Sequence, residues 1–197
     1  YSPTGSNQTI NVLEVDSSSG EYYLEVVHSE EADSLSAFAA RAGAFAGING
    51  SYFEPDVSFI KVDGRLWREV TLTEDHVRFW KHEGAFYHDP ATGRMAIGYG
   101  SNEEYLASGY PTVLSGAPML IDDYNPVGET FADNPDSVDI MKLDYEDLRR
   151  HQGVRNPRVA IALSGHGRAS SVTVHGRWWT PAGRTGREPT PLRARAF

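Results

Sequence analysis

The chain contains no cysteine among its 197 residues. That excludes disulfides, thiolate-bound zinc and thiol catalysis, while leaving the redox compartment open. No apolar run approaches the ~18 residues of a spanning helix, so no membrane span is expected. Basic residues are scarce relative to acidic ones, 18 against 27, and the net charge of −9 argues against nucleic acid as the main partner. There is no initiator methionine and no signal-peptide pattern, and Tyr1 reads as a processed or trimmed start. No internal repeat is visible.

What is present suits a globular protein. A 40% hydrophobic and 11% aromatic composition over this length supplies one substantial core and is short for two full domains. The charge is unevenly spread. From Gly165 to Phe197 there are six arginines and one acid, Glu188, so this end carries +5 and the preceding residues −14. From Thr180 to Phe197 one leucine and one phenylalanine stand against three prolines and four arginines, and no helical or strand period survives. The expected organisation is one domain over residues 1–179 and an irregular basic tail over 180–197.

Local patterning predicts a strand over Thr9–Val15 and, after the turn Asp16–Gly20, a return strand over Glu21–Val27. Asp33 is an N-cap candidate for a helix with Leu35, Phe38, Ala39 and Ala42 on one face, and Gly43 is a natural stop. Phe59–Val62, Asp63-Gly64 and Leu66-Trp67 read as a hairpin. Arg78–Tyr87 reads as a strand that turns through His88–Gly93 into Arg94–Ile97. Thr112–Leu114 leads into Ser115-Gly116-Ala117-Pro118. Residues 124–139 read as a surface loop and Asp144–His151 as a short helix. Arg158–Leu163 is the clearest buried strand late in the chain, and Ser171–Val174 is a further strand. The fold class is α+β, a mixed β-sheet with a few packing helices.

The most informative stretch is Ala46–Phe53, an apolar lead that breaks at Asn49-Gly50 and continues with Ser51, Tyr52 and Phe53. Asn and Gly both tolerate positive φ, so a sharp turn can hold a carboxamide and a hydroxyl at the end of a packed element. An ordinary hairpin turn is the competing reading. No metal-ligand spacing is found around His82 and His88, and no nucleophile elbow surrounds Ser164. No cofactor is therefore expected, and no residue pattern supports a divalent cation, which the sequence leaves open. Trp67 and Trp80 read as core or strand-face residues, whereas Trp178 and Trp179 could stack on sugars.

Three ordered segments resemble the phosphodiester glycosidase family, that of the uncovering enzyme that removes N-acetylglucosamine from a sugar phosphodiester. Ala46–Phe53 resembles its Asn-Gly-Gly-Phe-Phe, Leu114–Leu120 its Ser-Gly-Gly-Pro-Met-Leu, and Asn156–Ala162 its Pro-Arg-Thr-Ala-Ile-Gly. The match covers roughly residues 8–178. Ser51 and Ala117 replace common glycines, and His175-Gly176-Arg177 stands where the family reads Asp-Gly-Arg. The family's late Asn-Leu-Asp-Gly-Gly-Gly-Ser is replaced by Arg- and Pro-rich sequence, as a shifted reading frame in a GC-rich gene would give.

The resemblance implies hydrolysis of a sugar-1-phosphodiester, N-acetylglucosamine-linked or from an exopolysaccharide, in an extracytoplasmic setting. The alternative is a non-catalytic carbohydrate- or phosphosugar-binding domain, or an inactive remnant. The leaving group, a phosphate monoester with a second pKa of ~6, needs little help from an acid. The site must bind one negative charge and orient a water or carboxylate at C1. Arg158 suits the anion, because its guanidinium is a rigid fork; a structural ion pair is the alternative. Asn49 and Ser51, with Gly50 between them, suit sugar hydroxyls. Ser115 and Gly116 offer backbone N–H groups to an oxyanion. Turn geometry alone would equally explain these residues. Asp122 and Asp63 are candidates for nucleophile or base because they follow motif segments. His175 and Arg177 complete the substrate-binding set, although an imidazole cannot do a carboxylate's work.

Overall fold

The computed structural model describes residues 8–16, 19–31, 33–52, 56–71, 84–116, 119–126, 158–165 and 168–176. Expectations for Phe53, Trp80, His82, Ala117-Pro118, Asp144–His151, Asn156-Pro157, Arg177, Trp178-Trp179 and the 180–197 tail lie outside these residues, as do parts of those for 78–87 and 124–139. By its internal contacts the chain divides into two compact units, Tyr1–Gly50 with Arg155–Phe197, and Ser51–Val154. Among the described residues, antiparallel sheets dominate and two helices are interspersed between their strands, an α+β arrangement.

In the first unit, β1 (Gln8–Asp16), β10 (Arg168–Gly176) and β9 (Arg158–Leu163) form an antiparallel sheet in the order β1-β10-β9. The β1–β10 ladder runs unbroken from Gln8 opposite Gly176 to Asp16 opposite Arg168. This corrects the expected return strand over Glu21–Val27. Those residues are irregular, because the partner of β1 comes from the far end of the chain. Nor is β9 fully buried: Val159 and Ala162 are exposed and its other residues are half-buried.

Helix α1 (Leu35–Ala42) forms where the apolar period predicts it, with Phe38 buried. Its cap is Ser34, whose Oγ accepts from the Ala37 N–H at 3.2 Å. The expected cap, Asp33, sits one residue earlier, accepts from the Ser34 N–H at 2.7 Å and pairs with Arg41. The Arg41 hydrogen bond, aided by the Ser34 N–H, holds the Asp33 carboxyl below its ordinary range. Gly43 ends the helix as expected, at φ 67°.

The second unit carries a five-stranded antiparallel sheet in the order β3-β2-β6-β4-β5. Its strands are β2 (Ile60–Val62), β3 (Arg65–Arg68), β4 (Gly84–Asp89), β5 (Arg94–Tyr99) and β6 (Thr112–Gly116). Asp63 and Gly64 join β2 to β3 with φ of 51° and 80°, the positive pair that a two-residue type I′ hairpin requires. Trp67, on β3, is half-buried under the Arg65 guanidinium, 3.7 Å from its ring. Asp89 turns β4 into β5 by accepting from the Ala91 N–H and the Thr92 hydroxyl.

Helix α2 (Asn102–Ala107) was not anticipated, although Ser101 and Glu104 carry its capping box in plain sight. It places Tyr105, fully buried, against Phe59, Val70, Ala85 and Val113, the core of this unit. The Phe59–Tyr105 ring centroids lie 5.1 Å apart and Tyr87 meets Tyr105 edge-on at 6.0 Å, both favoured aromatic geometries. A short hairpin, β7 (Ile121–Asp122) with β8 (Asn125–Pro126), completes the described elements.

Candidate functional site

Two motif segments meet in the second unit. The Ser51 hydroxyl donates to the Ser115 carbonyl at 2.5 Å, across 64 positions of sequence. The Ser58 hydroxyl donates to the Tyr52 carbonyl at 3.3 Å. The Phe59 N–H donates to the Ser115 Oγ at 2.7 Å, and the Ser115 N–H donates to the Phe59 carbonyl at 2.9 Å. Ser115 thus ties Ser51, Phe59 and the end of β6 into one hydrogen-bonded junction.

That junction changes the role expected of Ser115. The residue is 1% exposed, and its N–H is committed to Phe59 rather than open to an oxyanion. Its hydroxyl oxygen likewise satisfies a buried backbone donor, as buried polar groups generally must. Gly116 is half-buried beside it and pairs with Gly84 across the β4–β6 ladder.

Asn49 is half-buried and Gly50 exposed at the close of the first unit's opening segment. The expected turn through positive φ does not occur there, since neither residue adopts it. Arg158 opens β9, half-buried and opposite Val174 of β10. His175 lies opposite Thr9 at the same end of that sheet. Asp122 is exposed on β7, opposite Asn125. Asp63 is exposed in the β2–β3 turn, where its N–H donates to the Thr112 Oγ1 at 3.2 Å. Arg158, Asn49, Gly50 and His175 therefore belong to the first unit, and Ser51, Ser115, Gly116, Asp122 and Asp63 to the second.

Sequence reasoning reads His88 as the start of a turn and misses its burial in the same sheet. His88 is buried on β4, opposite Thr112 of β6 and Met95 of β5, with its ring stacked on Phe86 at 6.1 Å. Burial pushes its pKa below the ordinary value, against the upward pull of Asp89 and Asp63. The signal was available: within Gly84–Asp89, His88 follows Phe86 by two, the strand period that puts both on one face. Among the described residues no three His, Asp or Glu side chains gather as a metal ion would require, and no helix is long and apolar enough to cross a membrane.

No protein-family model matches the chain, and no curated protein matches it.

Proposed function

We propose that the chain hydrolyses a sugar-1-phosphodiester, with the residue roles that the sequence implies: Arg158 for the phosphoryl anion, Asn49 and Ser51 for sugar hydroxyls, and Asp122 for base or nucleophile. The observation that carries the reading is the Ser51–Ser115 hydrogen bond, which joins two segments singled out independently from sequence. Guanidinium–phosphate pairing supplies charge and geometry together. Asp122, exposed on a short hairpin, is accessible to a substrate. Gly50, Gly116, His175 and Arg177 keep the substrate-binding roles that the resemblance implies. The setting is extracytoplasmic.

A second reading is a carbohydrate- or phosphosugar-binding protein without turnover. It is favoured by Ser115, whose N–H and hydroxyl oxygen are both engaged by Phe59. An activated chromogenic sugar-1-phosphodiester separates the two. The hydrolytic reading expects sugar release by the wild type and a loss of about 10²-fold or more in kcat/KM in Arg158→Ala, with Arg158→Lys intermediate. Absence of release by the wild type, or full activity in Arg158→Ala, overturns it.

A further inference from the structure

We propose that the tip of the β7–β8 hairpin is a saccharide-contacting subsite, with the Tyr124 ring as the platform on which a pyranose lies. The two-residue turn between Asp122 and Asn125 puts Asp123 at φ 44° and Tyr124 at φ 65°. The β2–β3 hairpin solves the same geometric problem with Asp63 and Gly64, at φ 51° and 80°. Glycine meets no steric penalty at the second position, whereas a tyrosine held there is strained. Packing does not offset that strain, because Tyr124 is 74% exposed. A bulky residue retained in a strained conformation with its ring in solvent points to a function for the ring.

The surrounding chemistry selects the ligand. A pyranose has one face of C–H groups, complementary to the negative face of an aromatic ring, and a rim of hydroxyls that donate to carboxylates. Asp122 and Asp123, both exposed and next to Tyr124 in the chain, supply such acceptors. The Asn125 amide donates to the Asp123 carbonyl at 2.8 Å and holds the turn in place. The two carboxylates oppose an anion at the tip, so the residue stacked there is a neutral sugar. The subsite deepens the hydrolytic reading, on which it rests for placing a sugar beside Asp122.

Its test depends on binding rather than turnover. The protein and its Tyr124→Gly and Tyr124→Phe variants are applied to an array of neutral and phosphate-bearing glycans, with thermal unfolding measured in parallel. The expected result is wild-type binding to neutral glycans, retained in Tyr124→Phe and weakened about tenfold or more in Tyr124→Gly, in the range of one aromatic stacking contact. Tyr124→Gly is expected to lose no thermal stability, because it relieves the turn. No neutral-glycan binding by the wild type, or equal binding by Tyr124→Gly, overturns the proposal. Tyr124-dependent binding without phosphodiester cleavage supports the subsite and overturns the hydrolytic reading. Arg158-dependent cleavage with binding indifferent to Tyr124 does the reverse.

Discussion

Phe59 and Ser115 grip each other twice: the Phe59 N–H reaches the Ser115 hydroxyl oxygen at 2.7 Å, and the Ser115 N–H reaches the Phe59 carbonyl at 2.9 Å. The second bond is an ordinary strand contact. The first is a side chain substituting for one, just before β2 begins. Both residues are essentially sealed from solvent, so no water replaces a lost partner.

Ser115→Ala therefore leaves the Phe59 amide without its acceptor. The expected cost is about 1–3 kcal/mol, the penalty for an unmet buried polar group. Chemical denaturation of the two proteins under identical conditions measures it. A change below a few tenths of a kcal/mol would show that the bond contributes nothing.

Asn102 holds Val70 in a similar way. Its Oδ1 accepts from the Val70 N–H at 3.2 Å and its Nδ2 donates to the Val70 carbonyl at 2.8 Å, so one carboxamide completes both backbone groups. Asn102→Ala is expected to lower stability by about 1–3 kcal/mol and to speed hydrogen exchange at the Val70 amide. An unchanged exchange rate there counts against the clasp.

Gly100 sits where nothing larger fits. A Cβ at this position would lie 2.5 Å from Cε1 of the fully buried Tyr105 and 3.1 Å from the Tyr87 hydroxyl. Gly100→Ala is expected to cost about 1–3 kcal/mol as overpacking. The same change at Gly116, where an added Cβ would meet nothing within 4 Å, is the control with little steric cost.

The buried His88 makes stability depend on pH. Its folded pKa is below the ordinary 6.5, so at pH values between the two the unfolded chain binds more protons than the folded one. Stability from this residue is complete above about pH 6.5 and is lost as pH falls through the folded pKa. The unfolding midpoint is expected to decline with acidification in that window, and His88→Leu to flatten the decline. An equal slope in both proteins would assign the effect to other groups.

Legibility followed the range of the interactions. The α1 helix could be read because its apolar period, cap and stop all lie within ten residues of sequence, and the cap was misplaced by only one. The β2–β3 hairpin could be read because Asp63-Gly64 encodes its own turn. The β1 partner could not, because a strand pattern states that a partner is needed without saying which, and the adjacent Glu21–Val27 offered a shorter loop than the true partner β10. At the candidate site, Ser51 and Ser115 were legible as polar residues at element ends, and their bond joins them. The engagement of the Ser115 amide was not legible, because it depends on Phe59, 56 positions away. The Asn49-Gly50 turn failed for a related reason. Tolerance of positive φ permits a turn but does not compel one.

During synthesis the pairing of β1 with β10 imposes a wait. Asp16 and Arg168, the last rung of that ladder, are separated by more than 150 residues. At ribosomal speeds this is an interval of roughly ten to thirty seconds. The nascent β1 spends it with unmet edge groups and with Ile10, Val12 and Leu13, all exposed even in the finished sheet, available to other chains. The second unit, contiguous from Ser51 to Val154, is complete before β10 emerges. Chaperone dependence during production is thus expected to track β1, and a charged replacement at Val12, 64% exposed in the folded state, to raise soluble yield without disturbing the mature protein.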